Sequence, residues 1–149
     1  MSIKFYDFWW PYTDKIKRMM HGVDSAELFI ENECVFDAVM RELELLGEAT
    51  NQLLKGEKFQ PFVNVEWRKI VDLRNVIIHE YFGIDAMVVF GAVRYNVPEF
   101  EREIIRLARE FKDDVLLKIA FEDSKKMLLR MYRRESIQYL EKIEKIVFN

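Results

Sequence analysis

One cysteine, Cys34, in 149 residues excludes an internal disulfide and a thiolate-rich zinc site, and it favours a reducing, cytoplasmic setting. The two histidines, His21 and His79, stand too far apart to act as paired ligands at helical spacing, so neither a metal nor another cofactor is expected. His21, beside Gly22, reads instead as a helix-ending residue. With 23 Lys/Arg against 26 Asp/Glu there is no excess of positive charge, which argues against a broad basic coat and makes any nucleic-acid contact local. Long apolar runs are also missing. Lys4, Asp7 and Asp14 interrupt the aromatics Phe5, Tyr6, Phe8, Trp9 and Trp10, so neither a signal peptide nor a membrane span is expected. Glycine and proline number only five and three, leaving the chain sparsely punctuated.

What is present is half hydrophobic and one third charged, the balance of a single globular domain with a real core. Apolar residues recur three and four apart, which predicts an all-α fold. A first helix is predicted over roughly Ile3 to Met20, with Pro11 kinking it or starting a new segment. Asp24 and Glu27 resemble a capping box. Asn32 caps a long helix to Lys55-Gly56, with Phe36, Val39, Met40, Leu43, Leu46 and Leu53 along one face, and Gly47 inside it predicts close helix contact. Residues 55–63 read as a loop containing Pro61. Asn64 caps the next helix, which ends near Phe82-Gly83, and Asp85 caps another to about Tyr95. Asn96-Val97-Pro98 restarts the chain, with Phe100, Ile104, Leu107 and Phe111 on one face. Residues 113–147 form one long helix or two shorter ones.

The segment Arg74 to Tyr81 places an arginine and a histidine among apolar residues that otherwise read as a buried helix. A buried guanidinium is costly unless an anion meets it, so Arg74 requires a carboxylate or a phosphate. At about 100° per residue, Trp67, Ile70, Val71, Ile78 and Tyr81 fall within about 60° of Arg74. Asn75 lies about 100° away and His79 about 140° away, so one straight helix cannot aim Arg74 and His79 at one atom. Either the last turn unwinds toward Gly83, or the two line a cleft completed by another helix or another subunit.

The R-x4-H-x-Y pattern in RNVIIHEYFGID, with VEWRKIVDL before it and RELELLGEAT upstream, resembles the HepT-like toxins of the HEPN (higher eukaryotes and prokaryotes nucleotide-binding) superfamily over roughly residues 3–110. The resemblance implies an antiparallel up-and-down bundle of about five helices that pairs as a homodimer. It also implies the toxin half of a type VII-like toxin–antitoxin pair, with a small nucleotidyltransferase as antitoxin. The implied activity is metal-independent RNA cleavage to 2′,3′-cyclic phosphate, and the residues suit it. His79 suits proton transfer near neutral pH. Arg74 offers paired donors to phosphate oxygens. Asn75 can hold a nucleotide or orient His79. One motif supplies one histidine, so two subunits would be needed for both acid and base. Tyr81 matches the position that receives AMP in such toxins.

Plainer readings stand beside these. Arg74 can meet Glu44 or Glu48 on the long helix, His79 can be an ordinary histidine near a helix end, and Tyr81 can be core with its hydroxyl at the rim. The alternative function is a non-catalytic nucleotide- or substrate-binding helical subunit of a two-component nucleotidyltransferase. Residues 112–149, a helical extension expected to pack on the 1–111 bundle, depart from the family pattern. They hold nine Lys/Arg against seven Asp/Glu, so the excess acid lies in 1–111. Lys125, Lys126, Arg130, Arg133 and Arg134 can form a basic stripe. A solvated salt-bridged face, a dimer contact, an RNA-guiding surface and an antitoxin dock all fit it.

Overall fold

The computed structural model describes residues 11–149, and among these no strand occurs. The predicted helical start over residues 3–10, with its aromatics, lies outside the described residues. Pro11 caps α1 (Tyr12–Met19), its carbonyl accepting from the Lys15 N–H at 3.0 Å. α2 (Ala26–Glu31) is capped by Ser25, whose hydroxyl accepts from the Leu28 N–H, so the predicted Asp24 cap is displaced by one residue. Asn32 caps α3 (Glu33–Leu54) as predicted, accepting from the Val35 N–H at 3.1 Å. The expected loop is instead wound into a 3₁₀ segment, Glu57–Phe62, with Pro61 inside it.

Asn64 caps α4 (Val65–Glu80) and a 3₁₀ turn follows at Tyr81–Gly83. Asp85 caps α5 (Ala86–Gly91), as its short side chain suits it to do. The restart predicted at Asn96–Pro98 does not occur. A π-helical segment, Ala92–Asn96, joins α5 directly to α6 (Val97–Glu110). The ring of Pro98 forbids a regular turn and supplies no N–H, and the wider π turn carries the helix past it. α2 is the short helix expected after the Asp24–Glu27 pair, and α5 is the helix expected after Asp85, ending as a regular α-helix at Gly91 rather than near Tyr95.

The C-terminal stretch is two helices, α7 (Val115–Arg130) and α8 (Arg134–Phe148). They separate at Tyr132, whose φ of 58° is left-handed, while the Arg133 N–H closes back on the Leu128 carbonyl at 2.9 Å. A side chain in that conformation costs roughly 1–2 kcal/mol compared with glycine.

One core runs through all of this. Phe29, Val39, Met40, Leu43, Leu46, Trp67, Ile70, Phe100 and Ile104 are buried together with Leu117, Phe121, Leu140 and Val147 from the last two helices. Polar ties join α1, α6 and α8: the Thr13 and Tyr139 hydroxyls both donate to Glu101, at 2.8 and 2.7 Å. Burial and the Glu101 charge push the Tyr139 phenol well above its ordinary range. Lys15 of α1 meets the buried Glu42 of α3 at 2.5 Å. Among the described residues no helix is long and apolar enough to cross a membrane.

Because Leu140 is fully buried in the shared core, Leu140→Ala should cost about 2–5 kcal/mol, as deletion of core methyl groups does. The loss should appear in calorimetry as one lowered transition of the whole chain. A separate early transition for residues 112–149 would show that the last two helices are not part of that core.

Candidate functional site

α3 and α4 run antiparallel, and what sets their approach is Gly47. A Cβ there would lie 2.2 Å from the Arg74 Cβ and 2.7 Å from its Cγ. The glycine is the slot that admits the arginine stem, which accounts for the close contact predicted at this position. Next to it, Glu48 accepts from the Arg74 Nη2 at 2.6 Å, while Nη1 donates to the Asn75 Oδ1 at 2.9 Å. Gln52 secures the other oxygen of Glu48 at 3.2 Å. Of the two predicted carboxylate partners, Glu48 is the one used, and Glu44 pairs with Arg41.

The arginine is held without being sealed. Its side chain is 25% exposed and that of Glu48 is 45% exposed, so water screens the pair. A guanidinium has five N–H groups. Glu48 and Asn75 take two, and the buried Nε has no hydrogen-bond partner. One N–H on each Nη remains for a further acceptor.

α4 is less buried than its composition predicted. Trp67, Ile70 and Ile77 are buried, whereas Val76 and Ile78 are 40% and 42% exposed. Arg74 thus lies at the boundary between a face packed on α3 and a face that is open. His79 is exposed and makes no hydrogen bond with a described residue. The helix departs from regular dihedrals only at Glu80, whose φ is −134°, so the unwinding begins after His79 and the angular separation of about 140° from Arg74 persists. Arg74, Asn75 and Glu48 are brought together; His79 stands apart on the open side, with Ile78 and Phe82 exposed near it.

Tyr81 occupies the 3₁₀ turn, half-buried, and donates to the Asp37 Oδ1 at 2.7 Å. Asp37 was not anticipated. The signal was present in the helical register, because Asp37 precedes Glu48 on α3 by eleven residues, three turns, and so falls on the same face. The hydrogen bond to Asp37, then burial, then the Asp37 charge hold the Tyr81 phenol above its ordinary value. Among the described residues no group of three or more His, Cys, Asp or Glu is placed to hold a metal ion.

Residues 11–107 match the family described as Ribonuclease HepT-like. The chain belongs to the HepT-like ribonuclease family. It is 40% identical over 76 residues to "Putative RNase MJ1380" of Methanocaldococcus jannaschii, spanning 51% of this chain and 69% of that protein. "Probable ribonuclease HepT" of Thermococcus cleftensis is 25% identical over 108 residues, spanning 66% of this chain and 96% of that protein. No solved structure gives a significant match. The HepT-like match takes in Gly47, Arg74, His79 and Tyr81 and stops before α7.

Two outcomes follow from this geometry. Gly47→Ala should lower stability by about 1–3 kcal/mol, the usual cost of overpacking, measured as the shift in a urea midpoint. An unchanged midpoint would mean that the helices part freely at Gly47. For Tyr81, a raised phenol pKa means that the bond to Asp37 stabilises the fold fully below about pH 10 and is lost as pH climbs through the raised value. Tyrosinate absorbance, read as the difference from Tyr81→Phe, should titrate at lower pH in Asp37→Asn than in the parent chain. No change on removing that carboxylate would discard the Asp37 bond.

Proposed function

We propose that this protein is the toxin of a type VII-like toxin–antitoxin pair and a metal-independent endoribonuclease. In this reading a two-fold homodimer joins the open faces of two α4 helices, burying exposed Ile78 and Phe82 and bringing two copies of Arg74 and His79 into one groove. The observation that carries the proposal is that Arg74, partly exposed, keeps one unspent donor on each Nη on the same helix from which His79 projects, uncovered.

The chemistry is transesterification. One imidazole removes the proton of the ribose 2′-hydroxyl as that oxygen attacks phosphorus, forming the cyclic phosphate. The second imidazole, protonated, gives its proton to the departing 5′-oxygen. Arg74 binds the non-bridging oxygens, whose charge grows in the transition state. Asn75 and Glu48 fix the plane of the guanidinium, so less ordering remains to be done when RNA arrives.

Tyr81 is the position at which a partner nucleotidyltransferase attaches AMP. Its hydroxyl already points at an acceptor, Asp37, which can take the phenol proton as the oxygen attacks the α-phosphorus of ATP and pyrophosphate leaves. The attached AMP adds bulk and phosphodiester charge two residues along the chain from His79, and so excludes RNA. The Arg74–Glu48 ion pair favours a second reading, in which the arginine is structural and the chain is a non-catalytic nucleotide-binding subunit of the nucleotidyltransferase.

Cleavage separates them. Purified protein without added metal should leave 2′,3′-cyclic phosphate ends, and His79→Ala should reduce the rate by about 10²–10⁴-fold, the usual contribution of a general acid or base. His21→Ala, which removes the histidine outside the proposed machinery, should leave the rate unchanged. Equal loss in the two variants would move the activity elsewhere. After co-expression with the partner, intact mass should show one added AMP per chain, absent in Tyr81→Phe; addition that persists in this variant would reassign the acceptor.

A further inference from the structure

The α7–α8 hairpin lies beyond the residues that match the family. Its corner carries Lys126, Arg130, Arg133 and Arg134, all exposed and none in an ion pair with a described residue. Lys125, one residue away, shows the ordinary alternative, with Glu122 at 2.9 Å and Glu144 at 2.8 Å. In a chain of net charge −3, four unmatched cations on one corner are a local exception. Among them Tyr132 is 93% exposed and Leu129 is 67% exposed. Tyr132 also holds the left-handed backbone position where glycine would be the unstrained choice. An aromatic ring is thus presented to water at a conformational cost, with cations on either side.

The corner shares an end of the bundle with His79. α8 runs parallel to α6, since Tyr139 meets Glu101 and the Ile146 carbonyl meets Arg109. The α7–α8 turn therefore sits beside the N-terminal end of α6. α4 runs the opposite way, from Asn64 against Glu103 toward that same end. With α6 between them, α4 and α8 are separated by about 20 Å, two interhelix spacings.

We propose that this corner binds single-stranded RNA, extending the substrate surface of the Arg74–His79 groove across the end of the bundle. Arg130, Arg133, Arg134 and Lys126 neutralise successive phosphates, and Tyr132 stacks on an unpaired base. Duplex RNA keeps its bases stacked and offers the ring no face, whereas a single strand does. The choice of RNA among polyanions rests on the ribonuclease reading above.

Binding is measured without cleavage, by fluorescence anisotropy of a labelled 2′-O-methyl oligopyrimidine of about 16 nucleotides, which lacks the attacking hydroxyl. Tyr132→Gly should weaken binding about tenfold while raising the melting temperature, because it relieves the strained backbone. Arg130→Glu, Arg133→Glu and Arg134→Glu together should weaken binding further and flatten its salt dependence, by about 0.7 in the log–log slope per cation removed. The same charge change at Lys112, Lys142 and Lys145 should leave affinity within about twofold, as expected if the contact is local. Equal loss in both triple variants, or unchanged affinity in Tyr132→Gly, would overturn the proposal. So would corner-dependent binding to phosphatidylserine vesicles with none to the oligonucleotide, which would make the corner a lipid contact. A chain that binds through the corner yet cuts no RNA keeps this inference and removes the nuclease; one that cuts RNA with affinity indifferent to Tyr132 does the reverse.

Discussion

The missing side chain at Gly47 is the constraint on which the site depends. Any β-carbon there would collide with the Arg74 stem, so the distance between α3 and α4 and the position of the guanidinium are set by one absence. From that close approach the rest follows. Glu48 comes within reach of Nη2, Asn75 completes the plane, and three turns earlier on α3 Asp37 comes opposite Tyr81. A helix pair held a few ångströms wider would leave Arg74 free to roam and Tyr81 without its acceptor.

On the proposed ribonuclease reading, the charge arrangement reconciles two demands on Arg74. A guanidinium at a packed helix interface needs an anion, and Glu48 supplies it. A phosphate-binding group needs donors that are still unspent, and partial exposure together with one unpaired N–H on each Nη provides them. In that reading Glu48 would also set a threshold, since an incoming phosphate must be attractive enough to bind beside a carboxylate. Two arginines in one groove would lower that threshold.

Much of the architecture was legible residue by residue. Asn32, Asn64 and Asp85 announce helix starts because their short side chains accept from the first free N–H groups, and each does so here. Gly47 could be read as a point of close approach, and Glu48 as one of two possible partners for Arg74. Where the reading failed, a competing local choice decided: Ser25 took the cap from Asp24, and a π turn carried the helix through Pro98 instead of ending it. The Tyr81–Asp37 bond was missed because it depends on the register between helices, which one helix's periodicity does not contain. The exposure of Ile78 beside His79 was missed for a related reason. An apolar residue on a helical stripe is as well suited to a subunit interface as to a core, and periodicity alone does not distinguish the two.

That last ambiguity bears on the proposed two-subunit site, and subunit mixing resolves it. Wild-type protein and His79→Ala are exchanged in varied proportion at constant total concentration, and RNA cleavage is measured. A groove that needs an imidazole from each protomer gives activity falling as the square of the wild-type fraction, since mixed dimers are inactive. Activity falling in simple proportion to the wild-type fraction would mean that each chain carries a complete site of its own, and would contradict the shared groove.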